Sequence, residues 1–504
     1  MDIIRNFPFF SIMVCMFSAI LSSVLKGKAA RRVTLFGLAA VDIMSSVLLY
    51  RLHESGESFV FLMGHFPAPW GNEIRAGELE ALMAVFITTV ALLSLLGGMQ
   101  AILKDIEAEK QNLYFIIADL MVASILAMIY TNDLFTAYVF IEINTIAGCG
   151  LIMIRQIGKS IVTAVRYMVV SLVGSGLFLI GVTLLYTVTG HLLMSPIQET
   201  VAKLTQSNEY SVTLTVILGL MTVGLAIKSG LYPFHVWIPD AYGNSNVASS
   251  ALLSSVVSKG YIFLLIKIYY RVIGIEFVRE SKVLNILFVF GIIAMLMGSI
   301  LAIKEDNIRR MIAYSSVAQI GYIYMGMGLG TTLGFVAAIY HILSHGCTKS
   351  LLFISSAEFT EGSHAKKIKN LYGLGHKYKY SALAFSIGAF SMVGFPLLSG
   401  FISKVRFASA GAEVESKMFV TLIALAVSTL LNCVYFLKAV VVLYSEHKKA
   451  ESSELPYFTG ATSERAFKFE YFFAITALSV INFVLGIFSQ NIINIITAGL
   501  SVFD

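Results

Sequence analysis

The feature that most constrains this chain is the recurrence, from one end to the other, of apolar stretches about as long as a bilayer-spanning helix. They fall near 5–25, 34–51, 80–101, 113–131, 133–155, 163–189, 211–232, 246–270, 283–303, 313–330, 332–357, 380–404, 417–445 and 470–490. Lipid offers no partner for free backbone N–H and C=O groups, so spans of this kind close their hydrogen bonds internally. The expected fold is therefore all-α, a polytopic membrane protein of about fourteen transmembrane helices. Composition agrees: 57% of the residues are hydrophobic and only 13% are charged, against about 25% in soluble domains. A soluble enzyme, a disordered chain and a disulfide scaffold are excluded. The net charge of +6 becomes a matter of membrane orientation, and nucleic acid is not an expected partner.

Alternate connections divide the 36 Lys and Arg residues unevenly. Counted by sequence position, twenty-one lie on the side of the first connection, with Lys26, Lys28, Arg31 and Arg32, and nine lie on the opposite side. The positive-inside bias then predicts a cell-membrane protein with both termini on the outer side. The first basic cluster follows its apolar run, as behind a retained first helix rather than a cleaved signal. Cys15, Cys149, Cys347 and Cys433 are scattered through apolar runs. That favours small core residues over metal or iron–sulfur ligands.

Six lysines fall within the spans: Lys228, Lys259, Lys267, Lys349, Lys404 and Lys438. Lys267 and Lys438 sit near span ends, where a long side chain snorkels to the interface. The other four are costly, at about 2.5–3.5 kcal/mol each near the bilayer centre, and such residues persist where they face a polar interior and serve a function. Glu142, in Tyr138-Val-Phe-Ile-Glu-Ile-Asn144, is the expected partner of Lys228. A buried lysine beside a movable counter-charge is a protonation switch; a static ion pair locking two helices is the alternative. Pro233 interrupts the seventh span after Lys228, and Pro396 interrupts the twelfth ahead of Lys404. Two broken spans, each with a lysine, suggest inverted repeats with ion-handling sites at the breaks; kinks serving only packing are the alternative.

In the eleventh span His341, His345 and Lys349 are spaced i, i+4, i+8 and share one helical face. Histidine titrates near neutrality and both donates and accepts, which suits a proton relay. A metal pair would need a third ligand, haem ligation would need a histidine on another helix and none is evident in the spans, and a polar packing seam is a further alternative. No phosphate-binding GxxxxGK[ST] loop, dinucleotide GxGxxG or cysteine cluster occurs. No cofactor, metal or catalytic centre is therefore expected in this chain, and its energy comes from an ion gradient or from partner subunits.

The segments Asn132-Asp-Leu-Phe to Phe140-Ile-Glu142, Lys228 to Tyr242, Asp306 to Tyr322, His341 to Lys349 and Gly394 to Lys404 together carry a family resemblance. Across roughly residues 60–410 the chain resembles the antiporter-like subunits of complex I, membrane-bound hydrogenases, formate hydrogenlyases and Mrp-type Na⁺/H⁺ antiporters. The resemblance implies a fourteen-helix core with two inverted five-helix repeats and broken helices 7 and 12. Its divisions are 1–112 for three N-terminal helices, 113–272 and 273–445 for the repeats, and 446–504 for a loop and the last helix. It implies proton translocation through Glu142 and Lys228, a central Lys259, the His341–His345 link with Lys349 behind it, and a terminal Lys404. It also implies partners: other membrane subunits and, in a redox-driven complex, iron–sulfur or hydrogenase-type peripheral subunits. A redox-driven translocase is the first reading; a D-type subunit of an Mrp antiporter and a non-conducting scaffold are the alternatives. H⁺ is the expected ion, since lysine and histidine are poor ligands for Na⁺, which stays open for the complex as a whole. Two departures stand out. Gly77 replaces an expected Asp, and 243–249 lacks the proline-rich start of helix 8, which leaves the local backbone open. The chain also stops soon after the last span, as in the shorter D- or M-type subunits.

Overall fold

The computed structural model describes residues 2–66, 71–362, 366–445 and 469–503. Trp70 and four of the basic residues in the orientation reading, Lys448, Lys449, Arg465 and Lys468, lie outside the described residues. The molecule is a helical bundle. It opens with α1 (Phe7–Val24), α2 (Gly27–Ser55), α3 (Glu78–Asp105), α4 (Gln111–Tyr130), α5 (Leu134–Met153) and α6 (Gly158–Thr189). There follow α7 (Met194–Gln206), α8 (Ser211–Ser229), α9 (Trp237–Asn244) and the continuous helical stretch α10 (Val247–Ile273). The second half holds α11 (Val283–Lys304), α12 (Ile308–Gly328), α13 (Thr332–Gly362), α14 (Lys379–Val393) and α15 (Ser399–Ala412), then α16 (Glu415–Tyr444), α17 (Phe469–Ile487) and α18 (Ser489–Ser501).

Eleven helical stretches among the described residues are long and apolar enough to cross a membrane, and the protein is a multi-pass membrane protein. They coincide with the expected segments one to nine, thirteen and fourteen. Helix also occupies the tenth to twelfth segments, but these fall outside that criterion for physical reasons. α12 and α13 are studded with buried polar residues, including Ser315, Gln319, His341, His345 and Lys349. The twelfth segment is split into pieces of 15 and 14 residues. α10 is buried along its whole spanning window, so the core sits around α10, α12 and α13, with α1 and α2 at the periphery.

Caps explain several helix starts. Asp133 accepts the Thr136 N–H at 2.5 Å, Asn307 accepts the Arg309 N–H at 3.0 Å, and Asn246 accepts the Ala248 N–H at 3.0 Å; each satisfies an orphan donor of a first turn. Asn246 thus starts α10 without a proline. The Gly77 N–H donates to Glu80 at 3.1 Å and caps α3 in place of an aspartate.

Three features differ from the sequence expectation. The connection before α3 holds an antiparallel hairpin, β1 (Phe59–Leu62) with β2 (Glu73–Ala76). Lys267 does not snorkel: it is fully buried and donates to the carbonyls of Ile129 at 2.6 Å and Thr131 at 2.8 Å. Arg271, one of the nine basic residues counted on the side opposite the first connection, is also buried, because α10 continues past it. Lys438 is exposed, as a snorkelling residue should be.

Candidate functional site

The two helix breaks are built alike. α8 ends at Ser229, and Gly230 takes the left-handed conformation (φ +80°). Its N–H reaches the carbonyls of Ala226 and Ile227, and the Leu231 N–H reaches Ala226. α14 ends at Val393, and Gly394 (φ +97°) repeats this: its N–H reaches Phe390 and Ser391, and the Phe395 N–H reaches Phe390. Both are Schellman-type closures, which glycine favours because a Cβ would be strained there. Pro233 and Pro396 follow within the gaps, where no N–H is needed for a helical ladder.

Each break has a lysine, and the Lys404 ammonium sits at the carbonyl-rich end of α14, where the helix dipole favours a cation. Lys228 lies in the last turn of α8 and donates to Thr145 Oγ1 on α5 at 2.5 Å. Lys404, half-buried on α15, reaches back to the carbonyl of Val393, the last residue of α14, at 2.6 Å, and to Thr429 Oγ1 at 3.0 Å. Gly394 makes room for it: a Cβ there would lie 3.0 Å from Lys404 Cδ.

Glu142 is half-buried on α5, one turn before Thr145. Its charge reaches Lys228, yet among the described residues the two form no contact ion pair; the Thr145 hydroxyl takes that place. The Lys228 ammonium also lies 5.9 Å from the centre of the Tyr261 ring. The Tyr261 hydroxyl donates to Asn144 at 3.0 Å, and Tyr261 is two residues from Lys259. Lys259 is fully buried and directly follows a π-helical turn, Leu253–Val257. Its ammonium donates to the Ser254 carbonyl within that turn and to Ser258 Oγ at 3.3 Å. Such turns leave a carbonyl free of the helical ladder and recur at functional sites.

On α13 the rings of His341 and His345 stack, centroids 5.8 Å apart and planes 10° from parallel. His341 Nδ1 is 2.5 Å from Ser403 Oγ on α15. His345 is completely buried and neither of its ring nitrogens has a partner among the described residues. The charges of Lys259 and Lys349 reach His345, and those of Lys404, Lys259 and Lys349 reach His341. Lys349 turns toward α12, donating to the Ile312 carbonyl at 2.8 Å and to Ser315. Tyr322 bridges the end of the stripe, its ring 5.6 Å from that of His341 and 5.8 Å from the Lys404 ammonium. Along the flank, Asn482 Oδ1 of α17 accepts from Thr348, Ser391 and Ser399 at 2.8–2.9 Å, and Ser344 donates to Ser399 at 2.7 Å.

The histidines His341 and His345 thus lie within the electrostatic reach of Lys259, Lys349 and Lys404, while Lys228, Thr145, Tyr261 and Asn144 form a separate cluster beside Glu142. Sequence reading missed Thr145, Tyr261, Tyr322 and Asn482. A signal existed for Thr145, since it shares a helical face with Glu142.

A second buried group lies off this line. Arg271 pairs with Glu80 at 3.3 Å and donates to Asn132 Oδ1 at 3.0 Å, and Lys267 lies one turn away. A further tie joins two of the sequence segments: Arg310 pairs with Asp240 and, at 2.9 Å, with Glu305, while Arg309 donates to the Ser245 carbonyl at 2.5 Å and to Ser250 at 2.8 Å. No three His, Cys, Asp or Glu side chains among the described residues are grouped to hold a metal ion.

Residues 131–432 match the family model described as NADH:quinone oxidoreductase/Mrp antiporter, TM. The chain belongs to this family. The matched region holds Glu142, Lys228, Lys259, Lys349, Lys404, His341 and His345. Among relatives, NADH-quinone oxidoreductase subunit N of Desulforudis audaxviator is 31% identical over 471 residues, 90% of each chain. The D-type Na⁺/H⁺ antiporter subunit of Alkalihalophilus pseudofirmus is 27% identical, over 78% of each chain. The fold is shared with a chain of the membrane-bound sulfane sulfur reductase, an archaeal respiratory membrane complex, at a TM-score of 0.86 and 24% identity, covering 100% of this chain and 98% of that one. A chain of the Mrp complex from a Dietzia species gives a TM-score of 0.85 at 23% identity with the same coverage.

Proposed function

We propose that this chain is a proton-translocating, antiporter-like subunit of a multi-subunit membrane complex. The observation that carries the reading is His345, wholly buried, without a hydrogen-bond partner among the described residues, and set within reach of two buried lysine charges. A bare imidazole in a packed core costs stability unless water or a proton uses it. In this reading a charge change in a neighbouring subunit alters the interaction of Glu142 with Lys228. Thr145, Tyr261 and Asn144 hand the perturbation to Lys259, and the stacked histidines pass it to Lys404. Each step is a shift in proton affinity along a polar chain with water filling the gaps. The Thr145 hydroxyl holds Lys228 and the Val393 carbonyl holds Lys404, and both lysines keep their protons exchangeable.

The like-built breaks at Gly230 and Gly394 support two inverted repeats over 113–272 and 273–445, flanked by 1–112 and 446–504. The excess of basic residues on the Lys26–Arg32 side supports both termini on the outer face of the cell membrane. The partners are other membrane subunits, and the energy is redox-derived, a preference supported by the subunit N relative that spans 90% of the chain. Glu142→Ala and Lys404→Ala, each introduced into the intact complex and reconstituted in proteoliposomes, should abolish coupled proton transport while assembly persists. Normal transport in both would refute the reading, and loss of assembly would favour a scaffold.

A further inference from the structure

The basic cluster behind the first helix has a structural setting that orientation alone does not use. A groove of about 700 Å³ runs between α2 and α3. On the α2 wall, Lys28, Arg31 and Arg32 are followed by Leu35, Phe36 and Ala39. These positions recur at spacings of three and four, so cations and apolar residues form one stripe, charged at one end and greasy below. Leu92, Leu96 and Leu103 of α3 make the opposing wall. From Lys28 to Ala39 the helix rises about 16 Å at 1.5 Å per residue, close to one leaflet of a hydrocarbon core about 30 Å thick. Arg31 is tied to Glu470 at the start of α17, whereas Lys28 and Arg32 are exposed and make no ion pair among the described residues. Phe36 is 75% exposed, directed away from the bundle.

We propose that this groove is a binding site for an anionic phospholipid. Lys28 and Arg32 hold the phosphodiester, Arg31 stays oriented by Glu470 at the groove edge, and one acyl chain lies between Leu35 and Ala39 on one side and Leu92 and Leu96 on the other. Charge complementarity selects the headgroup, and groove length matches a single leaflet. A zwitterionic lipid would meet the same apolar walls but bring its own cation to a site already supplied with two that are unpaired among the described residues, Lys28 and Arg32.

The test uses the intact complex, delipidated in detergent and titrated with dioleoylphosphatidylglycerol or dioleoylphosphatidylcholine under native mass spectrometry. A cation near an anionic lipid surface contributes about 1 kcal/mol, so the Lys28→Gln/Arg32→Gln double variant should lose about 30-fold in preference for phosphatidylglycerol. Ala39→Trp, which fills the groove without touching the cations, should lower binding of that lipid as well. A photoactivatable phosphatidylglycerol should label the segment around Leu92 and Leu96 in the wild type and not in the double variant. Equal binding of the two lipids, or a preference unchanged in the double variant, would overturn the proposal. So would cross-links from position 36 to a partner subunit instead of lipid.

Discussion

The hydrogen bond between Lys228 and Thr145 offers a sharp test, because it stands where a direct pair with Glu142 would be expected. Thr145→Val keeps the side-chain shape and removes only the acceptor at 2.5 Å. Hydrogen bonds to a charged group contribute about 1.5–3 kcal/mol. Its loss should therefore bias the protonation equilibrium of Lys228 against the ammonium by about 10- to 150-fold, at 1.4 kcal/mol per factor of ten. If Lys228 cycles its proton during turnover, translocation should fall by about tenfold or more, since the occupancy of one protonation state limits the relay. The assay is proton uptake into proteoliposomes that carry the assembled complex, followed with a pH-sensitive dye and normalised to the driving reaction. Thr145→Ser, which retains the hydroxyl, should stay within about twofold of wild type, well under the 1.4 kcal/mol of a tenfold change. Wild-type transport in Thr145→Val would refute the assignment of this hydroxyl. Equal damage in Thr145→Ser and Thr145→Val would show that packing, not hydrogen bonding, is at issue.

Gly394→Ala places a Cβ 3.0 Å from Lys404 Cδ at a φ of +97°. The strain of about 1–3 kcal/mol should displace the ammonium from the Val393 carbonyl, lowering transport more than thermal stability in detergent. Arg271→Met strands the Glu80 charge without its ion-pair partner in a buried site and should lower stability by about 3–5 kcal/mol, whereas the Arg271→Met/Glu80→Gln pair, which keeps an acceptor for the Gly77 N–H, should recover most of it; differential scanning fluorimetry distinguishes them. Asn482→Leu removes an acceptor shared by three hydroxyls and should cost about 1–3 kcal/mol for the groups left unpaired, read out in the same melts.

Much of the bundle was legible because spanning helices announce themselves by length and hydropathy, and breaks by Gly and Pro at the ends of apolar runs. The lysines and histidines were legible because a charge in lipid is costly enough to need a reason. What escaped depends on how far a helix runs and which way it turns. Lys267 and Arg271 look like interface residues only if the eighth span ends at 270; it continues to Ile273, where Glu80 and Asn132 take in Arg271 while the carbonyls of Ile129 and Thr131 take in Lys267. The π-helical turn before Lys259 has no marker in Leu-Ser-Ser-Val-Val, because ordinary α-helix would accept the same residues. Asn482 reads as one polar residue in an apolar run, and its role appears only when three other helix segments converge on it. The hairpin at 59–62 and 73–76 is short and was hidden between two much stronger helical signals.

The central claim is that protons pass along the buried line from Lys228 to Lys404. Lys259 is its midpoint, and Lys259→Met removes the titrating group while keeping most of the side-chain volume. Proton translocation per turnover should be measured for this variant in the intact complex, reconstituted in proteoliposomes, with assembly checked by co-purification of the partner subunits. The account predicts an assembled complex whose translocation through this subunit is lost; an assembled complex that translocates protons at the wild-type stoichiometry would contradict it.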